Sequence, residues 1–317
     1  MLEERIMDDN RAVSKTFWEA FIENGALSPF LNKIKENNSG LQLRFRGNNT
    51  PAAITVYYNN HIVWKISRHK RGYKVEVSAN HAKGPRKEKL LEQLRKEPLC
   101  FITDSKHAKS YPYVIKKTFD DRFVDLTYTM MVDVIKEFFG AAKYQEKRIQ
   151  QELFESLTDS NDGLYVYDLE FKQRGIKSEN EPDMLAVRYS EGKPQSIVLI
   201  EVKSERKACE DGISGLMKHL DGMHHYIKES PYLYNRKHEA HDIISAYKGL
   251  KLHNPPENVP DPKDIKKFEM IIILTNTAVD YYRDFEDVIQ KYIQKKEYNC
   301  KIMEWTDDKA LIQLFEN

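Results

Sequence analysis

The heptapeptide Ile197-Val198-Leu199-Ile200-Glu201-Val202-Lys203 restricts the folds open to this chain more than any other stretch. Successive side chains of a strand point to opposite faces, so a run that is apolar at every position up to Ile200 must be covered on both faces. That excludes a one-sided surface sheet and calls for a central strand between helical layers. Charged Glu201 and Lys203 at the end of such a strand lose their hydration and need partners or a function. Two positions apart, they share a face. Pro182-Asp183 stands eighteen positions before Glu201 and opens Met184 to Tyr189, and Glu191-Gly192-Lys193-Pro194 supplies a turn between the two strands. Antiparallel pairing across that turn folds Asp183 back beside Glu201. Two carboxylates and a lysine thereby meet. Oxygen ligands from Asp183 and Glu201, with the carbonyl of Val202, suit Mg²⁺ or Mn²⁺, which keeps waters and takes up substrate phosphate directly. Lys203 would steady the attacking hydroxide or the charge developing on phosphorus. The plainer alternative is a structural ion pair between Glu201 and Lys203.

Around this hairpin the pattern is mixed α/β. A helical stretch from Asp121 to about Leu157 is interrupted near Gly140, and a strand from Leu164 to Gln173 precedes Met184 to Tyr189. Leu216, Leu220, Met223 and Ile227 then mark an amphipathic helix, and another runs from about Lys237 to Leu252. Four of the twelve prolines fall between Pro255 and Pro262, which predicts an extended connection. A strand at Met270 to Thr275, a helix at Asp280 to Lys295 and a strand at Cys300 to Trp305 follow.

The N-terminal part differs in both charge and pattern. Residues 1 to 117 carry 22 Lys and Arg against 12 Asp and Glu, whereas the rest carries 28 against 37. The excess is densest from Lys65 to Lys117, with 15 basic and 5 acidic residues, which favours a polyanionic partner through counterion release. A helix is expected over Asp9 to Glu23, then a meander of Ala53 to Tyr58, His61 to Ile66 and Tyr73 to Val77, with Asn59-Asn60 as a tight turn. Alternation there predicts one buried face and one wet face. Arg44, Arg46, Lys65, Arg68 and Lys74 interleave with aromatics, as a surface that grips a nucleic-acid backbone and stacks bases would require. The domain boundary is placed at 120/121: residues 1–120 form a basic β-meander domain for nucleic-acid binding or sensing, and 121–317 the domain carrying the hairpin.

Composition removes several classes. With 40% hydrophobic and 31% charged residues the chain is neither disordered nor built of apolar spans, and its charged first residues lack the pattern of a secretory signal, which implies a cytoplasmic location. Three widely spaced cysteines read as reduced thiols. Phosphate-loop, nucleophile-elbow, zinc-protease and dinucleotide motifs are absent. Six of the ten histidines lie between His219 and His253, read as a solvated cluster rather than a zinc site, with His224 as a core histidine near the site.

Pro182-Asp183 followed by Glu201-Val202-Lys203, in this order of elements, resembles the PD-(D/E)xK phosphodiesterase superfamily over about Tyr144 to Trp305. Glu-x-Lys occurs four times in the chain, but only Glu201 ends an apolar strand behind a Pro-Asp. The resemblance implies a restriction-endonuclease-like mixed sheet flanked by helices, an α+β arrangement behind the N-terminal β-rich domain. It implies Mg²⁺-dependent hydrolysis of phosphodiester bonds, most often in DNA, with a homodimer as a common arrangement and restriction or defence as a common role. It also implies a glutamate from the helix before the meander. Here Glu146 lies at the centre of the apolar stripe of Ile149, Leu153 and Leu157, whereas Glu152 lies more than about a third of a turn away. Lys172 and Gln173 are loose matches to a further polar position. The catalytic set is then Asp183, Glu201, Lys203 and Glu146; the metal set is Asp183, Glu201, Val202 and Glu146. The alternative is a non-catalytic nucleic-acid-binding module that keeps the nuclease fold.

Overall fold

The structure, a computed structural model, describes residues 12–47, 51–103, 111–138, 145–157, 163–169, 182–210, 215–229, 233–306, 308 and 310–317. Two sheets with flanking helices make the chain mixed α/β. It divides into an N-terminal unit, Arg11–Lys147 with Lys248–Leu252, and a C-terminal unit built from Arg148–Tyr247 and His253–Asn317.

The N-terminal unit holds helices α1 (Lys15–Trp18) and α2 (Ser28–Lys35), then strands β1 (Leu41–Arg46), β2 (Ala53–Tyr58), β3 (His61–His69) and β4 (Gly72–Glu76). Helix α3 (Pro85–Arg95), β5 (Tyr113–Lys116) and α4 (Asp121–Phe138) complete it. All neighbours in the β1-β2-β3-β4-β5 sheet are antiparallel. Asn59 (φ 47°) and Asn60 (φ 58°) form the expected left-handed two-residue turn, whose twist matches that of the strands. Three expectations are corrected here. Among the described residues the opening helix is α1 and one 3₁₀ turn, Glu19–Phe21, ending before Glu23 because Ile22 turns extended (ψ 163°), while Asp9 to Arg11 lie outside the described residues. The boundary falls after Lys147 rather than at 120/121: α4 belongs to this unit, where Phe123 packs on Phe30 and Phe101 and Trp64 Nε1 donates to Thr127 Oγ1 at 3.0 Å. The second face of the sheet is not wet either, since Gln42, Arg44, Thr55 and Ser67 are all buried.

The C-terminal unit begins with α5 (Gln145–Leu157), β6 (Gly163–Leu169), β7 (Met184–Ser190), β8 (Lys193–Lys203) and the short α6 (Arg206–Cys209). Helices α7 (Leu216–Glu229) and α8 (Leu233–Leu250), β9 (Lys267–Leu274), α9 (Thr277–Asp284), α10 (Glu286–Lys295), β10 (Cys300–Trp305) and β11 (Leu311–Glu316) follow. The single helix expected over Asp280 to Lys295 is two, broken where Phe285 leaves helical geometry (φ −121°, ψ 19°). In the sheet order β11-β10-β9-β8-β7-β6, the meander β6-β7-β8 is antiparallel, β9 and β10 run parallel to β8, and β11 returns antiparallel.

Strand β8 is therefore interior to the sheet, as its apolar run requires, and Ser196 to Lys203 are all buried. Val198, Ile200 and Val202 join Ile149, Leu153 and Phe154 of α5 in one core cluster. Alternation sends Glu201 and Lys203 to the opposite face, where α7 packs on β8 and β9. In β6 a bulge at Tyr167–Asp168 shifts the phase, which lets Leu164, Val166 and Leu169 all reach the α5 face. Among the described residues no helix is long and apolar enough to cross a membrane.

Candidate metal centre

The β7–β8 hairpin turns through Glu191 (φ 51°) and Gly192 (φ 68°), and its register pairs Met184 with Ile200. Asp183, one residue before Met184, thus arrives at the level of Glu201. Its Oδ2 accepts a hydrogen bond from the backbone N–H of Val202 at 2.8 Å, which anchors the carboxylate at the strand end. Pro182 helps to fix this entry, since its ring restricts the backbone just before the acid.

Glu201 Oε1 lies 2.8 Å from Lys203 Nζ and 2.8 Å from His219 Nδ1, a side chain presented by α7. The acid and the lysine are almost entirely enclosed, their side chains 3% and 6% exposed. Glu201 Oε2 is buried and makes no hydrogen bond among the described residues. One oxygen of the carboxylate is thus flanked by two nitrogens while the other makes no hydrogen bond among the described residues. A buried charge left in that condition is costly, and a cation is the partner that would relieve it. At the same strand end, Thr275 N–H donates to Lys203 O at 3.0 Å and ties β8 to the residue after β9.

These residues fit a hard divalent ion. Asp183 and Glu201 would supply the carboxylate oxygens, although among the described residues no group of three or more His, Cys, Asp or Glu side chains is gathered for a metal. Mg²⁺ is commonly held by one or two carboxylates with waters and phosphate completing the shell, so a small protein donor set suits it, whereas structural zinc is usually closed by four protein ligands.

Glu146 belongs to the first turn of α5, but its side chain lies outside the described residues, as do Lys172 and Gln173. Glu152 is drawn to Arg148 one helical turn away, at 3.4 Å. His224 packs at a 37° tilt against Tyr298 with ring centroids 4.2 Å apart, and burial lowers its pKa, as befits a packed histidine. His219 is the residue that sequence reasoning passes over. Its signal is helical spacing, three residues after Leu216 and four before Met223, both buried.

The five basic residues of the N-terminal unit do not form one binding surface. Strand register puts Arg44, Arg46, Lys65 and Lys74 on a common face, through Arg44–Thr55–Lys65 and Arg46–Ala53–Ser67–Lys74. Arg44 and Arg46, however, are buried, which corrects their assignment as exposed phosphate contacts. The Arg44 guanidinium donates to Asn60 Oδ1 at 2.5 Å and Gln42 Oε1 at 2.8 Å and lies 4.2 Å from the Tyr57 ring centroid. Arg46 donates to Phe45 O and to Tyr57 Oη. A planar fork with this many partners pays the desolvation that a buried cation demands. Lys74 pairs with Glu76 at 2.9 Å, and Arg68 projects from the other face to Thr16 Oγ1 at 2.8 Å.

Comparison with protein-family models, curated proteins and solved structures finds no match for this chain.

Proposed function

We propose that the C-terminal unit is a restriction-endonuclease-like, Mg²⁺- or Mn²⁺-dependent nuclease that hydrolyses phosphodiester bonds, with DNA as substrate. One observation supports the reading: Asp183 is hydrogen-bonded to Val202 N–H between the paired Glu201 and Lys203 at the end of an interior strand, and Glu201 Oε2 is buried without a hydrogen-bond partner among the described residues. The helix, antiparallel meander, helix and parallel strand that surround the site follow the order the superfamily resemblance implies.

The chain's own residues have separable tasks. Asp183 is held in place by Val202 N–H, so its position does not depend on the ion. Lys203 is held by Glu201 Oε1 and presents an ammonium where negative charge accumulates on the phosphoryl oxygens. Burial on β8 keeps competing water from the pair and strengthens its field. Bound Mg²⁺ would contribute Lewis acidity and a lowered pKa for its water. The basic segment from Lys65 to Lys117 favours nucleic acid as the partner of the N-terminal unit, and a second copy of the chain would serve the opposite strand of a duplex.

The test is cleavage of plasmid, linear duplex, single-stranded DNA and RNA in Mg²⁺ or Mn²⁺. Wild type should cut DNA, and Asp183→Ala and Lys203→Ala should each reduce the rate by about 100-fold or more. The Glu201–Lys203 contact of 2.8 Å also suits a purely structural ion pair in a non-catalytic binding module. Wild type that binds DNA yet leaves every substrate intact would favour that second reading.

A further inference from the structure

A cleft lined by charged and aromatic side chains lies within the C-terminal unit, far from Asp183 and Glu201. It has a volume of about 470 Å³ and opens between one face of α8 and the segment 261–266 that leads into β9. That size falls within the range of small-molecule sites. Lys266 immediately precedes β9, whose first residue pairs with Ser196, whereas Lys203 pairs with Leu274 at the other end. Seven strand residues separate the two ends, about 23 Å at the usual rise.

The lining is cationic. Lys237, Lys263 and Lys266 face one acid, Asp261, whose Oδ1 is engaged by the N–H of Lys263 at 2.9 Å and caps that turn. Lys237 donates to Ile265 O at 2.6 Å and Lys266 to Lys263 O at 2.7 Å, so each ammonium is oriented by one bond and has two further donors to offer. His241 Nδ1 lies 3.0 Å from Pro260 O; a carbonyl only accepts, so Nδ1 carries the proton. His238 Nε2 is buried and makes no hydrogen bond among the described residues. The Tyr234 ring, 66% exposed, stands beside it with centroids 4.6 Å apart. An exposed aromatic next to fixed ammonium groups is the equipment for an anion that carries a flat ring.

We propose that this cleft binds a free nucleotide, with Lys263 and Lys266 on the phosphate and Tyr234 stacked on the base. The site is independent of the metal centre. Isothermal titration of the full-length chain in EDTA, with AMP, ADP, ribose 5-phosphate, inorganic phosphate and a short single-stranded oligonucleotide, tests it. AMP or ADP should bind at one per chain. Lys263→Ala with Lys266→Ala should weaken that binding by about tenfold or more at an unchanged melting temperature, since both lysines are exposed. Tyr234→Ala should reduce AMP to the affinity of ribose 5-phosphate, and Asp183→Asn should leave both values as in wild type. Absence of nucleotide binding at millimolar concentration would overturn the proposal. So would AMP binding untouched by the double lysine variant, or lysine-dependent binding of the oligonucleotide with none of the mononucleotides.

Discussion

Removing one member of the Glu201–Lys203 pair differs sharply from replacing both. Lys203→Met leaves the Glu201 carboxylate enclosed without its counter-charge, and breaking a buried pair in this way costs about 3–5 kcal/mol. Glu201→Leu combined with Lys203→Met removes both charges and fills the space with apolar atoms, so urea denaturation should return stability to within about 1 kcal/mol of wild type or above it. DNA cleavage should stay abolished in both variants. A double variant as unstable as Lys203→Met would contradict the account of the pair as a functional feature retained against stability. Among single residues Asp183, Glu201 and Lys203 were legible in the sequence, because ionised residues at the end of an interior strand must be paired or used. It was silent about His219, since a histidine among Leu216, Leu220 and Met223 looks like any helix-face residue until α7 is seen to pack on β8. It misled at Arg44 and Arg46: alternation with aromatics marks a face of a sheet, but whether that face meets water depends on what covers it, which no strand encodes locally.

The elements that deliver the site rest on local features that can be altered singly. Gly192 sits at φ 68° in the β7–β8 turn, and a Cβ there would meet only Asn258 Nδ2, at 3.8 Å. Gly192→Ala should therefore cost about 1 kcal/mol through backbone strain alone, measurable by urea denaturation, with no loss from collision. A larger element-scale tie joins α7 to the end of α10. Tyr292 donates to both oxygens of Asp221 (2.7 and 2.9 Å), and Tyr298 Oη lies 2.5 Å from Asp221 Oδ1. Burial, reinforced by the Asp221 carboxylate, pushes the Tyr292 hydroxyl up to about 12 from its ordinary value near 10 and raises Tyr298 as well. A phenol whose folded pKa is raised contributes stability that is complete below pH 10 and is lost as pH climbs through the folded value. Wild type should thus lose stability steeply between pH 10 and 12, and Asp221→Asn, less stable by about 2 kcal/mol at pH 7, should show a shallower loss. Equal slopes in the two proteins would contradict this. Interior strands such as β7, β8 and β9 are legible because burial on both faces writes an apolar run. The edge strand β11 is largely exposed and mixes Gln313 and Glu316 into its pattern, so it leaves little trace.

For the molecule as a whole, the separation of charge along the sequence marks two units, but not where one ends. The helical stretch after Asp121 reads equally well as the start of either, and only the packing of Phe123 and Thr127 against the first sheet assigns α4 to the N-terminal unit. The mixed α/β architecture follows from the order of elements; the parallel run of β8, β9 and β10 follows from the helices that connect them, since parallel neighbours require such crossovers. At the end of β8 this architecture places two carboxylates, one anchored by Val202 N–H and one with a buried oxygen lacking a hydrogen-bond partner among the described residues, and the proposed function requires that they hold a divalent ion. Electron paramagnetic resonance of added Mn²⁺ measures this most directly. Wild type should bind one ion per chain, Asp183→Asn with Glu201→Gln should bind none at the same concentration, and Mg²⁺ should displace the manganese. No bound ion in wild type at millimolar Mn²⁺, or equal binding by the double variant, would contradict the claim.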